Sequence, residues 1–308
     1  MCNRKKKGGI VFNKLKTIEF ELLKKLSARK TRHEGEIYHY TSPNGLKGIV
    51  EDAAIWFSDM RFLNDSSELT YIYKLAFKVV TENPIYTDLQ DIIRNICNYI
   101  YTSGCYSVNN EEIIPLDTFY LASFSKDPDN LNLWNYYTKS QNSLGYNICI
   151  DTNNSLILNS NQEIIYGEVI YKTSEQEELL KKCFEKYISF INQNQNNYTK
   201  YEGLIQESIV RTLEIYNLFF KPEAYEAEKE YRFVIWNYNG QENIKYRINN
   251  GVFIPYIPVK LKKDAIKSIC ISPSKEQDLA KTGLESFILQ SNRFMTADIK
   301  KSAIPKRY

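Results

Sequence analysis

Segments with strand character cluster toward the two ends of this chain, whereas its middle carries long helical segments. Residues 174–221 hold two amphipathic stretches separated by a Gln- and Asn-rich break at 193–197, which is the pattern of a helical hairpin. Because strands and helices do not alternate regularly, a doubly wound parallel sheet is disfavoured and an α+β fold is predicted. A chain of 308 residues with 43% hydrophobic residues can bury a core for such a fold.

Strands are predicted where β-branched and aromatic residues concentrate, and helices where apolar residues recur every three or four positions. The predicted strands are 36–41, 54–58, 118–125, 145–151, 163–171, 230–236, 245–247, 252–257, 265–271 and 297–302. Helices are predicted at 11–30, 43–52, 68–81, 88–102, 131–137 and 275–289, in addition to the hairpin.

Charge separates a basic N-terminal segment from the rest of the chain. Residues 1–32 hold eleven Lys/Arg and two Glu, a local charge of +9, although the whole chain carries only +3. We therefore expect a basic, partly helical arm over 1–34 and a single α+β domain over 35–308 with the hairpin as an insertion. The arm could contact nucleic acid or an acidic partner, and a solvated tail is the alternative.

Several classes of site are disfavoured by what the sequence lacks. The six cysteines contain no C-x-x-C pair and the chain has two histidines, so neither a zinc site, nor a histidine-based metal site, nor a disulfide framework is expected. No apolar run approaches the roughly 18 residues of a membrane span, and no secretory segment is evident, which predicts a cytoplasmic protein without a membrane partner. Phosphate-loop, dinucleotide-fold, serine-hydrolase and zinc-protease motifs are missing.

The first candidate site segment is the predicted strand that contains His39. On a strand, His39 and Thr41 share one face while Tyr38 and Tyr40 share the other. Since a helix begins immediately after this strand, His39 is placed to donate a hydrogen bond to a ligand hydroxyl or carbonyl. The alternative is a buried structural histidine bonded to a backbone carbonyl.

A polar loop before the predicted helix at 68–81 is the second candidate segment. Its polar run is Asn64, Asp65, Ser66, Ser67 and Glu68. Asp65 or Ser66 could cap the helix, with Glu68 completing a capping box. The same loop could also contact a ligand.

The third candidate segment joins a strand to a short helix. Ser123 and Ser125 would point to one face at the end of the strand, and Trp134 and Tyr137 would share a helix face. The two rings could pack in the core, or they could form an aromatic wall for a base or a nicotinamide ring.

The fourth candidate segment is an acidic strand in the last third of the chain. A period of two sets Glu228, Glu230 and Arg232 on one face. A carboxylate beside an arginine can form a structural ion pair, or it can be held ionised to stabilise positive charge in a transition state.

Taken in order, these segments resemble the bacterial family named domain of unknown function twenty-nine seventy-one. A fifth motif, Ser-x-Ile-Pro, lies at the end of the chain, and the resemblance covers roughly residues 36–305. The motifs that carry it are Tyr38–Ser42, Asn64–Glu68, Ser123–Tyr137, Glu228–Arg232 and Ser302–Pro305.

The first motif is also similar to the opening of ADP-ribosyltransferase folds. That resemblance implies a split β-sheet core with inserted helices, and NAD as the substrate. It implies that His39 anchors NAD, that Glu230 is the catalytic carboxylate, that Tyr40 stacks on a ring and that Ser125 lines the pocket. Glu228 stays open as an alternative to Glu230. The full set of expected NAD-binding residues is His39, Tyr40, Thr41, Ser123, Ser125, Trp134, Tyr137 and Arg232.

Three functions are compatible with these patterns. The first is an NAD-dependent ADP-ribosyltransferase or NAD glycohydrolase that acts as a bacterial toxin or anti-phage effector on nucleic acid, protein or water, with a neutralising or sensor partner. The second is a non-catalytic sensor that binds a nucleotide or a phage component. The third is a nuclease whose metal is held by acidic residues, namely Asp65, Glu68, Glu228 and Glu230.

Overall fold

The computed structural model describes residues 11–22, 35–63, 68–103, 107–109, 112–113, 118–137, 144–152, 155–157, 164–237, 243–249 and 251–305. The chain forms two compact units, each assembled from separate stretches of sequence. The helical unit comprises Met1–Lys30, Leu63–Thr118 and Val169–Ala224, and the sheet unit comprises Thr31–Phe62, Phe119–Glu168 and Tyr225–Tyr308.

The secondary-structure elements are named here in chain order. The helices are α1 (residues 11–22), α2 (Pro43–Asp52), α3 (Glu68–Thr81), α4 (Thr87–Ser103), α5 (Leu131–Tyr137), α6 (Thr173–Gln193), α7 (Tyr198–Asn217) and α8 (Gln277–Ser291). The strands are β1 (Glu36–Thr41), β2 (Ala54–Asp59), β3 (Ser107–Asn109), β4 (Glu112–Ile113), β5 (Thr118–Ser125), β6 (Tyr146–Asp151), β7 (Leu156–Ile157), β8 (Ile164–Glu168), β9 (Glu230–Asn237), β10 (Lys245–Asn249), β11 (Val252–Leu261), β12 (Ile266–Ile271) and β13 (Asp298–Lys301).

The helical unit contains α1, α3, α4, α6 and α7, together with the β3–β4 pair. Apolar residues spaced three and four apart along α6 are buried, among them Leu180, Phe184 and Tyr187, as expected for an amphipathic helix. The buried Tyr187 hydroxyl lies 2.9 Å from the Ser208 carbonyl oxygen and 2.7 Å from Thr212 Oγ1, both on α7. These bonds tie the two helices of the hairpin to each other.

Within the described residues, the sheet unit is built on an eleven-stranded sheet with the order β10-β11-β2-β5-β1-β6-β12-β13. In addition, β7 pairs with β11, β9 pairs with β5, and β8 pairs with β9. The β12–β13 pair is parallel, and β1 pairs antiparallel with both β5 and β6. A buried apolar cluster combines residues from these strands with residues of α2 and α8, including Ile37, Ile49, Phe57 and Ile288.

Strand β11 continues through Pro258, although proline lacks the N–H that a central strand normally donates. Within the described residues, β10 pairs with β11 only up to Tyr256, and β7 begins to pair at Lys260. Pro258 therefore falls between these two neighbours, on an edge where no described strand pairs with it, so its missing N–H breaks no described pairing. For this reason the strand extends beyond the predicted end at Ile257.

The structure confirms the α+β class and most of the predicted elements. Strands β1 and β5 and helices α2, α3 and α5 have the predicted bounds, and the predicted hairpin corresponds to α6 and α7. The strands that the sequence did not predict are three short ones, β3, β4 and β7, of which β3 pairs with β4 and β7 pairs with β11. The predicted division into an arm and one domain stays a prediction, since much of residues 1–34 lies outside the described part of the chain.

Candidate functional site

Strand β5 has a gap along one of its edges, and His39 lies at this gap. Strand β9 runs antiparallel along one edge of β5. The N–H of Lys126 donates to the Lys229 carbonyl oxygen near one end of this edge, and the ring of Phe119 contacts that of Trp236 near the other. Strands β1 and β2 therefore share the opposite edge, where β1 pairs at Ser125 and β2 pairs at Tyr120 and Leu121. Residues 122–124 lie between them, and we call this stretch the β5 gap.

The imidazole of His39 takes the place of a strand partner at the β5 gap. Its Nδ1 lies 2.9 Å from the carbonyl oxygen of Ser123, and its ring centroid is 5.2 Å from that of Phe124. A carbonyl oxygen can only accept, so Nδ1 carries the proton and Nε2 of the neutral ring bears a lone pair. This bond satisfies a strand carbonyl that neither β1 nor β2 reaches.

The surroundings of His39 keep its ring neutral near pH 7. Burial is the main cause that lowers the pKa of His39, and the positive charge of Arg247 lowers it further, while the bond to Ser123 opposes both. A neutral ring with its proton on Nδ1 offers an acceptor at Nε2. The predicted donation from His39 to a ligand is therefore disfavoured, and acceptance from a ligand hydroxyl is favoured.

Arg247, on β10, is the residue whose positive charge lowers the pKa of His39. Its guanidinium donates to the Ser58 hydroxyl at 3.0 Å. Tyr256 lies opposite Ser58 in the β2–β11 pair, and its ring centroid is 4.9 Å from that of Trp56. This group of polar and aromatic side chains was not predicted. Because β10 is about two hundred positions away from β1 in sequence, no local motif links Arg247 to His39.

Glu230 forms a buried ion pair rather than meeting His39. Its carboxylate accepts two hydrogen bonds from Arg232, at 2.8 Å and 2.9 Å, and both residues are more than nine-tenths buried. The antiparallel β5–β9 contacts set Ser125 opposite Glu230, and Ser125 also lies opposite Tyr38. Since alternate residues of a strand face opposite sides, Glu230 shares a sheet face with Tyr38, and His39 lies on the other face.

Tyr40 and Trp134 form part of an internal network. The Tyr40 hydroxyl donates to the Asp127 carbonyl oxygen at 2.9 Å and accepts from the Asn130 N–H at 2.8 Å. Its ring packs edge-on against Trp134, with centroids 4.7 Å apart. Trp134 is 1% exposed, and its indole N–H donates to Asp129 at 2.6 Å. This burial favours the core-packing alternative for Trp134 over an aromatic wall around a ligand.

Ser125 belongs to the same network. Its hydroxyl donates to the Glu228 carbonyl oxygen at 2.7 Å and accepts from the Asp127 N–H at 3.0 Å. Asp129 also accepts from Ser302 in the terminal motif, at 2.6 Å. Four of the five sequence motifs therefore meet in one hydrogen-bonded network, which gives them a structural role in joining β1, β5, α5 and the chain end.

The remaining predicted site residues either form no side-chain hydrogen bond with His39 in the described part of the chain or lie outside that part. Ser123 acts through its backbone carbonyl, and Thr41 ends β1 beside α2. Asn64 and Asp65 lie outside the described residues, as do the side chains of Glu68 and Tyr137. Within the described residues, no group of three or more His, Cys, Asp or Glu could hold a metal ion. The nuclease alternative thus gains no support.

Comparisons with known proteins add one finding. The model of the family described as "Protein of unknown function (DUF2971)" matches residues 133–233, and this match supports the family resemblance over the stretch from α5 into β9. No curated protein and no solved structure matches the chain significantly. Among the described residues, no helix has the length and apolar character that crossing a membrane requires.

Proposed function

We propose that the sheet unit binds NAD beside His39, as an ADP-ribosyltransferase-like protein. The observation that carries this proposal is the neutral imidazole at the β5 gap, with its Nδ1 proton held by Ser123 and its Nε2 left as an acceptor. Ribose hydroxyls are donors that match such an acceptor.

The sheet supports this proposal through the divergence of β1 and β2 from one edge of β5. Such a divergence is compatible with the split sheet that the ADP-ribosyltransferase resemblance implies. Because function inferred from a shared fold is an analogy, the proposal rests on the imidazole of His39 and its bond to Ser123.

Cleavage of NAD requires a catalytic group in addition to the residues that bind it. A carboxylate must face the ribose in order to stabilise the positive charge that develops when the nicotinamide bond breaks. Glu230 is the first candidate, but its carboxylate is bonded to Arg232 and lies on the sheet face opposite to His39. The fuller proposal is an enzyme that transfers ADP-ribose to nucleic acid, protein or water as a toxin or anti-phage effector, and it requires Glu230 or Glu228 to reach the ligand.

The second candidate function is a sensor that binds the nucleotide without cleaving it. The observation that favours it is the buried pair of Glu230 and Arg232, because each charge is already compensated by the other. In this case the carboxylate stabilises the fold and has no part in chemistry.

Calorimetry with NAD and a nicotinamide-release assay on the full chain test these proposals. We expect the wild type to bind NAD and His39→Ala to lose binding, with His33→Ala as the matched control. If the wild type releases nicotinamide and a folded Glu230→Gln does not, the enzyme is supported. If binding occurs without release and Glu230→Gln leaves it unchanged, the sensor is supported. Absence of NAD binding by the folded wild type rejects both.

A further inference from the structure

Strand β10 is an edge strand with an exposed apolar face. Among the described residues it pairs with β11 alone. Tyr246 and Ile248 share one face of β10, and Phe253 lies opposite Ile248 on β11. These three side chains are 63%, 67% and 64% exposed, respectively. An apolar, unpaired edge of this kind is a template for pairing with a further strand.

The strand at the other end of the sheet order has a protected edge. Three of the four residues of β13 are charged and exposed, namely Asp298, Lys300 and Lys301. Charged side chains on an edge strand discourage pairing with another chain. Because β13 is protected in this way and β10 is not, the apolar face of β10 points to a partner strand.

The opposite face of β10 is basic. Lys245 and Arg247 share that face, and β10 and β11 together contain no Asp or Glu. Full-length antiparallel pairing with β10 of a second copy would set Arg247 opposite the Arg247 of that copy, and like charges directly opposite each other destabilise a sheet. An acidic strand would instead place its carboxylates opposite these cations. The charge therefore favours an acidic partner over a second copy.

We propose that β10 binds an extended segment of a partner protein in which acidic and apolar residues alternate. Alternate residues of β10 direct their N–H and C=O groups away from β11, and the segment bonds to them as an added strand. Its apolar residues pack against Tyr246 and Ile248. Its acidic residues lie opposite Lys245 and Arg247. This surface is separate from the proposed NAD site and does not depend on it.

Fluorescence anisotropy of the full chain with labelled peptides tests this inference. The probe is a peptide of about eight residues, slightly longer than a typical strand, in which Val and Glu alternate. The comparison peptide has Lys in place of Glu. We expect the wild type to bind the acidic peptide about fivefold more tightly than the basic one. Lys245→Glu should reduce this preference, whereas Lys267→Glu, at an exposed lysine of β12, should leave it unchanged.

Two further measurements separate strand addition from non-specific attraction. Ile248→Ser should weaken binding of the acidic peptide, whereas Leu289→Ser on α8, where the leucine is also 67% exposed, should not. The acidic peptide N-methylated at alternate residues, prepared in both registers, should lose binding in one register only, since one set of N–H groups faces β10. Circular dichroism establishes that the variants fold.

Three results would overturn the inference. The first is equal binding, or no binding, of the acidic and basic peptides by the folded wild type. The second is a wild type that light scattering shows to be a dimer and that becomes monomeric in Ile248→Ser, because a second copy would then cover β10. The third is displacement of the acidic peptide by a single-stranded oligonucleotide, which would assign the surface to nucleic acid.

Discussion

The carboxylate of Glu230 and the guanidinium of Arg232 are joined by two hydrogen bonds, of 2.8 Å and 2.9 Å, inside strand β9. With relative exposures of 6% and 2%, both charges have been removed from most of their water. Each charge therefore depends on the other, and this dependence makes the pair a sensitive point for stability.

Glu230→Gln should lower the free energy of unfolding by about 3–5 kcal/mol, because it leaves the charge of Arg232 buried and uncompensated. Denaturant unfolding of the purified chain measures this change. Glu178→Gln is the control, since the pair of Glu178 and Lys182 is exposed and such pairs contribute about 0–1 kcal/mol. The double variant Glu230→Gln/Arg232→Met should recover part of the loss. Similar effects of the two single variants would contradict this role of the pair.

Tyr40→Phe should destabilise the sheet unit by about 1–3 kcal/mol, because it leaves the buried N–H of Asn130 without its acceptor. Tyr38→Phe serves as the control on the same strand, since the Tyr38 hydroxyl donates to Glu36 at an exposed position. We expect the control to change stability by less than about 0.5 kcal/mol. Thermal or denaturant unfolding measures both, and equal losses would show that the Tyr40 hydroxyl has no special structural role.

Trp134→Ala should cost about 3–5 kcal/mol, because it empties a buried site and removes the bond to Asp129. Leu131→Ala tests the same helix at a residue that is 47% exposed, and its effect should be far smaller. If Trp134→Ala instead left stability unchanged and weakened NAD binding, the aromatic-wall alternative would replace core packing.

The lowered pKa of His39 predicts that stability falls in acid. The unfolded chain takes up a proton at His39 near its ordinary pKa of 6.5, whereas the folded chain resists protonation until a lower pH. The unfolding free energy should therefore decrease as the pH falls below about 6.5, until the folded pKa is passed. Comparing urea unfolding at several pH values with His39→Gln and His33→Gln checks this. The slope should flatten in His39→Gln, and a slope that persists there would refute the assignment.

The sequence by itself determined the fold class and most of the secondary structure. The bounds of β1, α2, α3, β5 and α5 follow from local periodicity and capping, which depend on neighbouring residues only. The five motifs were also visible locally, and the family match at 133–233 supports the resemblance that they suggested.

Only the tertiary structure decided which side chains share a site. Pairing of β5 with β1 and β9 sets His39 and Glu230 on opposite sheet faces, and a shift of one residue in either register would reverse this. The approach of Arg247 to His39 likewise depends on the strand order β10-β11-β2-β5-β1. Register and strand order arise from long-range packing, because each face must bury its own apolar residues, and no local pattern encodes them.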